Sequence, residues 1–271
     1  MRSINYKYIQ SVGVALLMVT GLACSDSVTG DNGNGTPTPT PTPTPEAQLI
    51  FEDLFISTAD STNLTEHTPD VGNGWSGGMT EHWYVEGANN YAAVGYYPIP
   101  NPTWAVADAE PETANYSAQQ IIIPVFVNPG AVREWHHMWV GVRHNGAATD
   151  AAPDGETVYA LNFAGDMEGV RLYRRIDGEA TLLAHDDEYT AIENEVVHDS
   201  EIWMKLEAKT VDDEVILNAW ISIDGGDVTH IFEDIVDDSA DRILDIGNPA
   251  YGSSAFQARL VEVEAWSVIV E

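Results

Sequence analysis

The chain contains a single cysteine, Cys24, among its 271 residues. One cysteine excludes a disulfide framework within the monomer, and it excludes zinc sites that need several thiolates. A chain of this length with 44% hydrophobic residues can bury a sizeable core. The fold is therefore stabilised by packing, and Cys24 needs a role outside a disulfide.

Basic residues are also scarce. The chain has 11 lysines and arginines against 43 aspartates and glutamates, a formal net charge of −32. This excess argues against nucleic acid as a partner and against charge-driven binding to anionic lipid. Two interpretations of the acids stay open, solvation of the surface alone and binding of divalent ions.

No apolar run near the start is long enough to span a bilayer as a helix. The run from Val12 to Ala23 has about a dozen residues, whereas a membrane span needs about 20. It follows the basic residues Arg2 and Lys7. This order is typical of a secretory signal.

The apolar run ends in Gly21-Leu22-Ala23-Cys24. This string resembles the lipobox of bacterial lipoproteins, although Gly21 stands where that family usually has an aliphatic residue. The resemblance implies that residues 1–23 are a signal peptide and that lipid on Cys24 anchors the exported protein to a membrane. Ser25 is not the aspartate that retains lipoproteins in the inner membrane, which favours the outer membrane or cell surface. The alternative is an ordinary signal peptide with an incidental cysteine.

Residues 24–45 predict a disordered linker behind the anchor. Residues 25–35 are mostly small and polar, and residues 36–45 are five Thr-Pro units. Alternating prolines favour an extended polyproline-II rod of about 30 Å. The folded domain is predicted to cover residues 46–271.

Side chains in this domain alternate with a period of two, which is typical of strands. The predicted strand faces are Ile121 with Ile123, Val125 and Val127, Met138 with Val140 and Val142, Ile202 with Met204 and Leu206, and Val215 with Leu217, Ala219, Ile221 and Ile223. Turn signals such as Asp177-Gly178 and Asp212-Asp213 separate them. The pattern predicts an all-β, two-sheet antiparallel sandwich.

The stretch FEDLFISTADSTNLTEHTPDVGNGW and the closing ARLVEVEAWSVIVE resemble concanavalin A-like, laminin-G-like jelly-roll modules of the lectin and glucanase type. The resemblance implies a jelly roll in which the last strand pairs beside the first. It implies little about function, because the fold hosts lectins, hydrolases, lyases and adhesion modules.

Catalytic motifs of these enzymes are missing from the sequence. Retaining glycosidases on this fold carry Glu-x-Asp-x-Glu or Glu-x-Asp-x-x-Glu, and neither string occurs. The lyase motifs are missing too. Glu262 and Glu264 could imitate a carboxylate pair, but they lie in the predicted closing strand. The sequence therefore favours a protein that is not an enzyme, without excluding unrecognised chemistry.

The sequence offers candidate ligands for a histidine-bound metal ion and for a calcium ion. Adjacent His136 and His137 point to opposite faces of a strand and cannot grip one ion together without a bulge. The family resemblance implies one structural calcium, for which Asp150, Asp154 and Glu156 offer oxygen ligands around a turn. A second candidate is Glu52 with Asp53.

A binding surface is predicted where arginines and aromatic residues share strand faces. The predicted carbohydrate-binding residues are Trp139, Arg143, Arg171, Tyr173 and Arg175. Aromatic rings stack on the apolar faces of sugars, and guanidinium groups bind carboxylate or sulfate. The alternative is that these arginines pair with surface acids and that the tryptophans fill the core. A further aromatic-rich stretch, residues 75–104, is interpreted as long loops at the rim.

The combined prediction is a monomeric, membrane-anchored lipoprotein whose sandwich binds a glycan or mediates adhesion. The glycan is either neutral or acidic. The alternatives are a polysaccharide hydrolase or lyase with non-standard catalytic residues, and a structural envelope protein without a ligand.

Overall fold

The structure is a computed structural model, and its described residues belong to one compact unit, Thr44–Glu271. They are residues 47–56, 61–78, 83–86, 89–94, 103–124, 137–146, 155–164, 169–190, 194, 196, 199–253 and 258–269. The predicted signal peptide, Cys24 and the linker lie outside them. In the described ranges no helix has the length and apolar character that a membrane span requires.

Sixteen strands occur in the described residues. They are β1 (Leu49–Asp53), β2 (Thr62–Asn63), β3 (Gly74–Gly78), β4 (Trp83–Glu86), β5 (Tyr91–Val94), β6 (Thr103–Asp108), β7 (Tyr116–Pro124), β8 (His137–Asn145), β9 (Thr157–Ala164), β10 (Val170–Ile176), β11 (Glu179–Asp186), β12 (Ile202–Val211), β13 (Glu214–Ile223), β14 (Thr229–Asp237), β15 (Asn248–Ser253) and β16 (Ala258–Ser267). A single 3-10 turn covers Leu64–Glu66.

The strands form two sheets. The nine-stranded sheet has the order β14-β13-β12-β7-β16-β5-β4-β2, with β1 paired to β16 beside this path. The seven-stranded sheet has the order β11-β10-β9-β8-β15-β6-β3. The predicted all-β, antiparallel two-sheet sandwich is confirmed. The expected pairing of the last strand with the first is confirmed as well, since Glu52 lies opposite Glu264.

The core lies between the sheets and follows the period of two. The predicted inward residues of β8, β12 and β13 belong to it, except that Ile223 is half-buried at its edge: Met138, Val140, Val142, Ile202, Met204, Leu206, Val215, Leu217, Ala219 and Ile221. Full burial of one such large side chain contributes about 1.5–3 kcal/mol. The face of β7 was predicted wrongly, because Ile122 is buried while Ile121 and Ile123 are half-buried on the outer side.

Two predicted turns are confirmed by their backbone angles. Asp177 and Gly178 connect β10 to β11 with φ values of 48° and 81°, and Asp212 and Asp213 connect β12 to β13 with φ values of 50° and 68°. Two-residue hairpins prefer turns with both φ values positive, and Asp and Gly tolerate that region.

The stretch that resembles the jelly-roll opening forms a buried corner around Asp53. The Asp53 carboxylate accepts hydrogen bonds from Trp75 Nε1 at 2.7 Å and from the Phe55 backbone N–H at 2.7 Å, and it lies 3.0 Å from His67 Nε2. Asp53 itself is fully buried. The Phe, Asp, His and Trp of the motif therefore serve the fold.

Candidate functional site

The seven-stranded sheet carries aromatic residues on the face turned away from the core. Trp104 of β6, Trp139 of β8 and Tyr173 of β10 lie on this outer face, since they alternate with core residues along their strands. They pack as a group of their own, separate from the main core, with Val106, Val158, Ala160 and Ala250. The outer face of an antiparallel sheet is commonly polar, so this group is a candidate binding surface.

Two histidines extend the group, which we call the ring cluster: Trp104, His137, Trp139, His144 and Tyr173. Ring centroids are 6.1 Å apart for Trp104 and Trp139 and 6.0 Å apart for Trp104 and His144. They are 6.0 Å apart for His137 and Trp139 and 5.9 Å apart for Trp139 and Tyr173. Trp104 is fully buried and Trp139 is 5% exposed, whereas His137 and Tyr173 are half-buried. The accessible edge of the cluster is therefore formed by His137 and Tyr173.

Two glycines make room for Trp104 against the sheet. A Cβ atom at Gly141 would lie 2.8 Å from Val158 Cγ2 and 3.4 Å from the Trp104 ring. A Cβ atom at Gly252 would lie 3.0 Å from Trp104 Cε3. A side chain at either position would push neighbouring atoms away, so glycine allows the Trp104 ring to pack close to the backbone of β8 and β15.

Three polar atoms of the ring cluster are buried without a hydrogen-bond partner. They are Nε1 of Trp104, Nε1 of Trp139 and Nε2 of His144. Each unpaired buried group destabilises the fold by about 1–3 kcal/mol. Burial lowers the pKa of His144 to about 4, although a hydrogen bond to its own backbone opposes this. The imidazole is therefore neutral at pH 7.

Arg143 does not belong to the ring cluster, which corrects the prediction. The pairing register of β8 shifts between Val142 and Asn145, and Arg143 has a φ of 58°. This bulge turns its side chain into the interior, where it is fully buried. The period-two prediction fails here because one extra residue in a strand reverses the face of those that follow.

Each of the three guanidinium nitrogens of Arg143 donates a hydrogen bond in the interior. Its Nε donates to the Ala114 carbonyl at 3.0 Å, Nη1 to the Ile243 carbonyl at 2.6 Å and Nη2 to Thr210 Oγ1 at 2.9 Å. Its backbone N–H donates to the Tyr116 hydroxyl. The guanidinium thus ties the seven-stranded sheet to chain segments on the other side of the core.

Arg175 and Glu156, predicted for different sites, form one ion pair. Arg175 Nε lies 2.7 Å from Glu156 Oε1, with Glu156 fully buried and Arg175 9% exposed. Arg175 also donates to the Gly178 carbonyl at 3.2 Å. The other predicted calcium ligands, Asp150 and Asp154, lie outside the described residues. A calcium site there stays a prediction, but Glu156 is already neutralised by Arg175.

Arg171 and His137 border the ring cluster beside Asn162. Arg171 lies opposite Asn162 on β9, and Asn162 lies opposite Trp139 on β8. His137 Nδ1 is 3.2 Å from Asn162 Oδ1, and Asn162 Nδ2 donates to the Met138 carbonyl at 3.3 Å. Of the predicted carbohydrate residues, the structure therefore brings Trp139, Arg171, Tyr173 and Arg175 together on one face, where Arg175 is paired with Glu156.

Of the remaining metal candidates that the structure describes, Asp53 and His137 have other partners. Among the residues that the structure describes, no group of three or more His, Cys, Asp or Glu side chains is arranged to hold a metal ion. Both Asp53 oxygens are engaged in the buried corner, so the Glu52 and Asp53 pair offers no free buried carboxylate. His137 contacts Asn162 and Trp139, while His136 lies outside the described residues.

Sequence reasoning missed Trp104 and His144. Residues 75–104 were interpreted as rim loops, yet Trp75, Trp83 and Trp104 lie in strands β3, β4 and β6. The available signal was the run Thr103–Asp108. Its successive residues Trp104 to Ala107 are all apolar, and this pattern predicts a strand that is buried on both faces. His144 could not be assigned, because the bulge at Arg143 decides its face.

The carboxyl pair Glu262 and Glu264 lies on the outer face of the nine-stranded sheet. The two side chains contact each other, and burial together with the neighbouring Glu264 and Glu52 raises the pKa of Glu262 to about 7. Glu264 Oε2 accepts hydrogen bonds from Gln119 at 2.6 Å and from Trp266 at 2.7 Å. Retaining glycosidases hold their two carboxyl groups about 5 Å apart with access for the sugar between them. A pair in direct contact does not provide that geometry.

No protein-family model matches the chain, and no curated protein sequence matches it significantly. Among solved structures, the chain is similar to an endo-1,3-beta-glucanase from Streptomyces sioyaensis, with 9% identity, a TM-score of 0.46, and coverage of 86% of this chain and 100% of that one. A seed lectin from Lotus tetragonolobus has 11% identity, a TM-score of 0.42, and coverage of 78% and 99%. A carbohydrate-binding module from Bacillus subtilis has 12% identity, a TM-score of 0.36, and coverage of 76% and 95%. These likenesses concern the jelly-roll sandwich alone.

Proposed function

We propose that the sandwich is a glycan-binding module and that its site is the ring cluster. The observation that carries this proposal is the gathering of five rings on a sheet face turned away from the core. Rings at the accessible edge of such a face suit the apolar faces of sugars, and nearby polar groups orient the ligand.

The polar surroundings support sugar binding. Asn162 and His137 are held in fixed positions by their mutual contact, and Arg171 lies beside them, half-buried. A rigid strand scaffold positions these groups more exactly than a loop does. Glu156, a buried carboxylate next to these strands, is engaged by Arg175, which favours binding over catalysis at this face.

Glycan arrays test the proposal. The chain carrying Cys24→Ser, which removes the predicted lipid attachment, is applied to a panel of plant, algal and bacterial polysaccharides. We expect binding to at least one glycan and a loss of about tenfold or more in affinity for Tyr173→Ala, because one stacked ring contributes at least that much. Trp203→Ala is the matched control, since Trp203 is also half-buried but on the outer face of the other sheet.

The result that contradicts the proposal is equally clear. The proposal is contradicted if no glycan of the panel binds. It is also contradicted if Tyr173→Ala and Trp203→Ala reduce the affinity for the glycan equally. The enzyme alternative is examined on the same panel by measuring released reducing ends and unsaturated sugar products.

We also propose that the module is exported and held at a membrane by lipid on Cys24. This rests on the sequence of residues 1–24, and the net negative charge makes any other contact with anionic lipid unfavourable. Mass spectrometry of the membrane fraction should find the mature chain beginning at a lipidated Cys24. An unmodified Cys24 in the mature chain contradicts the anchor and leaves the glycan site unaffected.

A further inference from the structure

The half-buried edge of the ring cluster carries one defined hydrogen-bonding pair, Asn162 with His137. We propose that Asn162 holds His137 in the tautomer with the proton on Nδ1, so that His137 Nε2 accepts a hydrogen bond from a sugar hydroxyl. Asn162 is then a positioning residue, and His137 is the residue that contacts the sugar. This inference rests on the proposed glycan-binding function of the same face.

The orientation of the Asn162 amide is set by the backbone of the neighbouring strand. Asn162 lies on β9 and is 1% exposed. Its Nδ2 donates to the Met138 carbonyl at 3.3 Å. A carbonyl oxygen only accepts hydrogen bonds, so the NH₂ end of the amide has to face Met138. The amide oxygen Oδ1 is therefore the atom that faces His137.

This orientation decides where the His137 proton lies. His137 Nδ1 is 3.2 Å from Asn162 Oδ1. Because Oδ1 can only accept, Nδ1 has to carry the proton that forms this hydrogen bond. In a neutral imidazole the other ring nitrogen is then an acceptor, so Nε2 presents a lone pair.

His137 lies where a glycan on the ring cluster can reach it. The side chain is half-buried, and Nε2 is not among the buried side-chain atoms without a partner in the described residues. Ring centroids of His137 and Tyr173 are 6.0 Å and 5.9 Å from that of Trp139. The strand register places Tyr173 level with Gly141, so His137 and Tyr173 lie on opposite sides of Trp139. A glycan that packs against Tyr173 and crosses Trp139 therefore reaches His137.

An acceptor at this position recognises a group that can donate a hydrogen bond. Stacking on Tyr173 recognises the apolar face of a sugar ring and does not distinguish its hydroxyl groups. A sugar hydroxyl can donate to the Nε2 lone pair, whereas an O-methylated hydroxyl has no proton to donate. His137 therefore supplies specificity for an unmodified hydroxyl group.

Nuclear magnetic resonance tests the tautomer without any ligand. The full chain with Cys24→Ser is prepared with isotope-labelled histidine and recorded in mildly alkaline buffer, where an imidazole is neutral. His137→Gln identifies the His137 signals. We expect a protonated Nδ1 and an unprotonated Nε2. A proton on Nε2 in the chain with intact Asn162 overturns the inference.

Substitutions of Asn162 separate positioning from a purely structural role. Asn162→Leu removes the acceptor, so the proton should move largely to Nε2, its preferred site in an imidazole side chain without a partner. Asn162→Asp keeps an oxygen acceptor and should restore the proton to Nδ1. Thermal unfolding of both variants shows whether the fold persists. A tautomer that is the same in all three chains contradicts the positioning role.

Binding measurements test the hydroxyl contact. The probes are β-linked oligosaccharides of glucose, galactose and mannose, together with any glycan that the panel identifies, and affinity is measured by calorimetry. His137→Phe keeps a ring and removes the lone pair, so affinity should fall about tenfold, the value of one hydrogen bond. Asn162→Leu should cause a similar loss, which Asn162→Asp largely reverses. The O-methylated form of the bound oligosaccharide should bind equally to His137→Phe and to the unchanged chain.

His230 and Asn218 provide a matched control pair on the nine-stranded sheet. His230 Nε2 is 3.1 Å from Asn218 Oδ1, and the His230 ring stacks on Trp220 with centroids 4.6 Å apart. His230→Phe and Asn218→Leu therefore make the same changes away from the ring cluster. Both should leave the affinity for the glycan unchanged.

The outcomes separate this inference from the function it rests on. Glycan binding that His137→Phe does not weaken, or that His230→Phe weakens equally, overturns the hydroxyl contact and keeps the glycan-binding function. Loss of affinity in Asn162→Leu without a change of tautomer assigns Asn162 to the fold alone and overturns its positioning role. Absence of binding to every oligosaccharide and to the wider panel removes the proposed function itself, and the hydroxyl contact with it.

Discussion

At the scale of single residues, Asp53 shows how a conspicuous motif can serve the fold alone. Its carboxylate is enclosed by Trp75, His67 and the backbone of Phe55. In the sequence, Glu52 and Asp53 of this stretch are a candidate calcium site. The contacts instead make it a buried hydrogen-bonded corner that fixes β1 against β3.

Replacement of Asp53 tests that role. Asp53→Ala leaves the Trp75 indole N–H and the Phe55 amide without acceptors, so the free energy of unfolding should fall by about 2–5 kcal/mol. Chemical denaturation measures the change. Glu52→Gln is the matched control, because Glu52 is adjacent in the chain but half-buried on the outer side, and no comparable loss is expected from it.

The Glu262 carboxyl makes the free energy of unfolding depend on pH between 4.5 and about 7. Its pKa rises from an ordinary 4.5 to about 7 in the folded chain because of burial and the neighbouring Glu264 and Glu52. A raised acid pKa means that the folded state binds the proton more tightly than the unfolded state. The contribution of Glu262 to stability is therefore fully present below pH 4.5 and is lost as the pH rises from about 4.5 to 7.

Glu262→Gln checks this sign. The variant carries no titrating group at this position, so the decline in stability between pH 4.5 and 7 should be smaller than in the unchanged chain. Thermal unfolding across this pH range provides the measurement. Identical pH profiles for both chains would falsify the assignment of the raised pKa to Glu262.

At the scale of strands, β8 combines two functions that its alternation alone does not separate. The side chains on one face of β8 belong to the core. The other face carries Trp139 and Gly141, the glycine that leaves room for Trp104. The bulge at Arg143 then exchanges the faces, so that Arg143 enters the interior and His144 joins the ring cluster. The ring cluster depends on this irregularity as much as on the strand pattern.

The close fit between β8 and β9 can be tested with a double-mutant cycle. Gly141→Ala should destabilise the protein by about 1–3 kcal/mol, because the new Cβ would lie 2.8 Å from Val158 Cγ2. Val158→Ala removes that clashing methyl. In the double variant Gly141→Ala with Val158→Ala, denaturant unfolding should show a loss smaller than the sum of the two single losses. Strict additivity contradicts the contact.

At the scale of the whole molecule, a buried ionic network joins the two sheets. Arg174 of β10 lies 2.8 Å from Asp237 of β14, and Tyr159 of β9 donates to the same carboxylate at 2.7 Å. Burial raises the pKa of Asp237, but hydrogen bonds from Ser239, Tyr159 and Arg174 outweigh it and hold the pKa below its ordinary value. This network fixes the sheets relative to each other near the ends of β10 and β14.

The network predicts acid sensitivity. A lowered pKa means that the Asp237 contribution is present above the unfolded pKa and is lost as the pH falls through the folded value, below about 4. Arg174→Met leaves the carboxylate buried without its cation, so we expect a loss of about 3–5 kcal/mol at pH 7. Guanidinium unfolding of Arg174→Met with Asp237→Leu should show a smaller loss than the single variant, since no unpaired charge remains buried.

The sequence by itself determined the class of fold, the strand faces of β12, β13 and of β8 up to Val142, and the positions of the two tight turns. Period-two alternation and Asp-Gly or Asp-Asp turns are local signals, so they need no knowledge of distant residues. The same reasoning placed Trp139 on the outer face of one strand and Arg171, Tyr173 and Arg175 on one face of another strand. Their assembly required only that β8, β9 and β10 lie in chain order.

Only the tertiary structure decided which charged residues are available for a ligand. Arg175 and Glu156 neutralise each other, Arg143 turns inward at a bulge, and Trp104 reaches the cluster because β6 and β8 both pair with β15. These are contacts between segments far apart in the chain, and one inserted residue is enough to exchange the faces of a strand. Local periodicity carries no information about either.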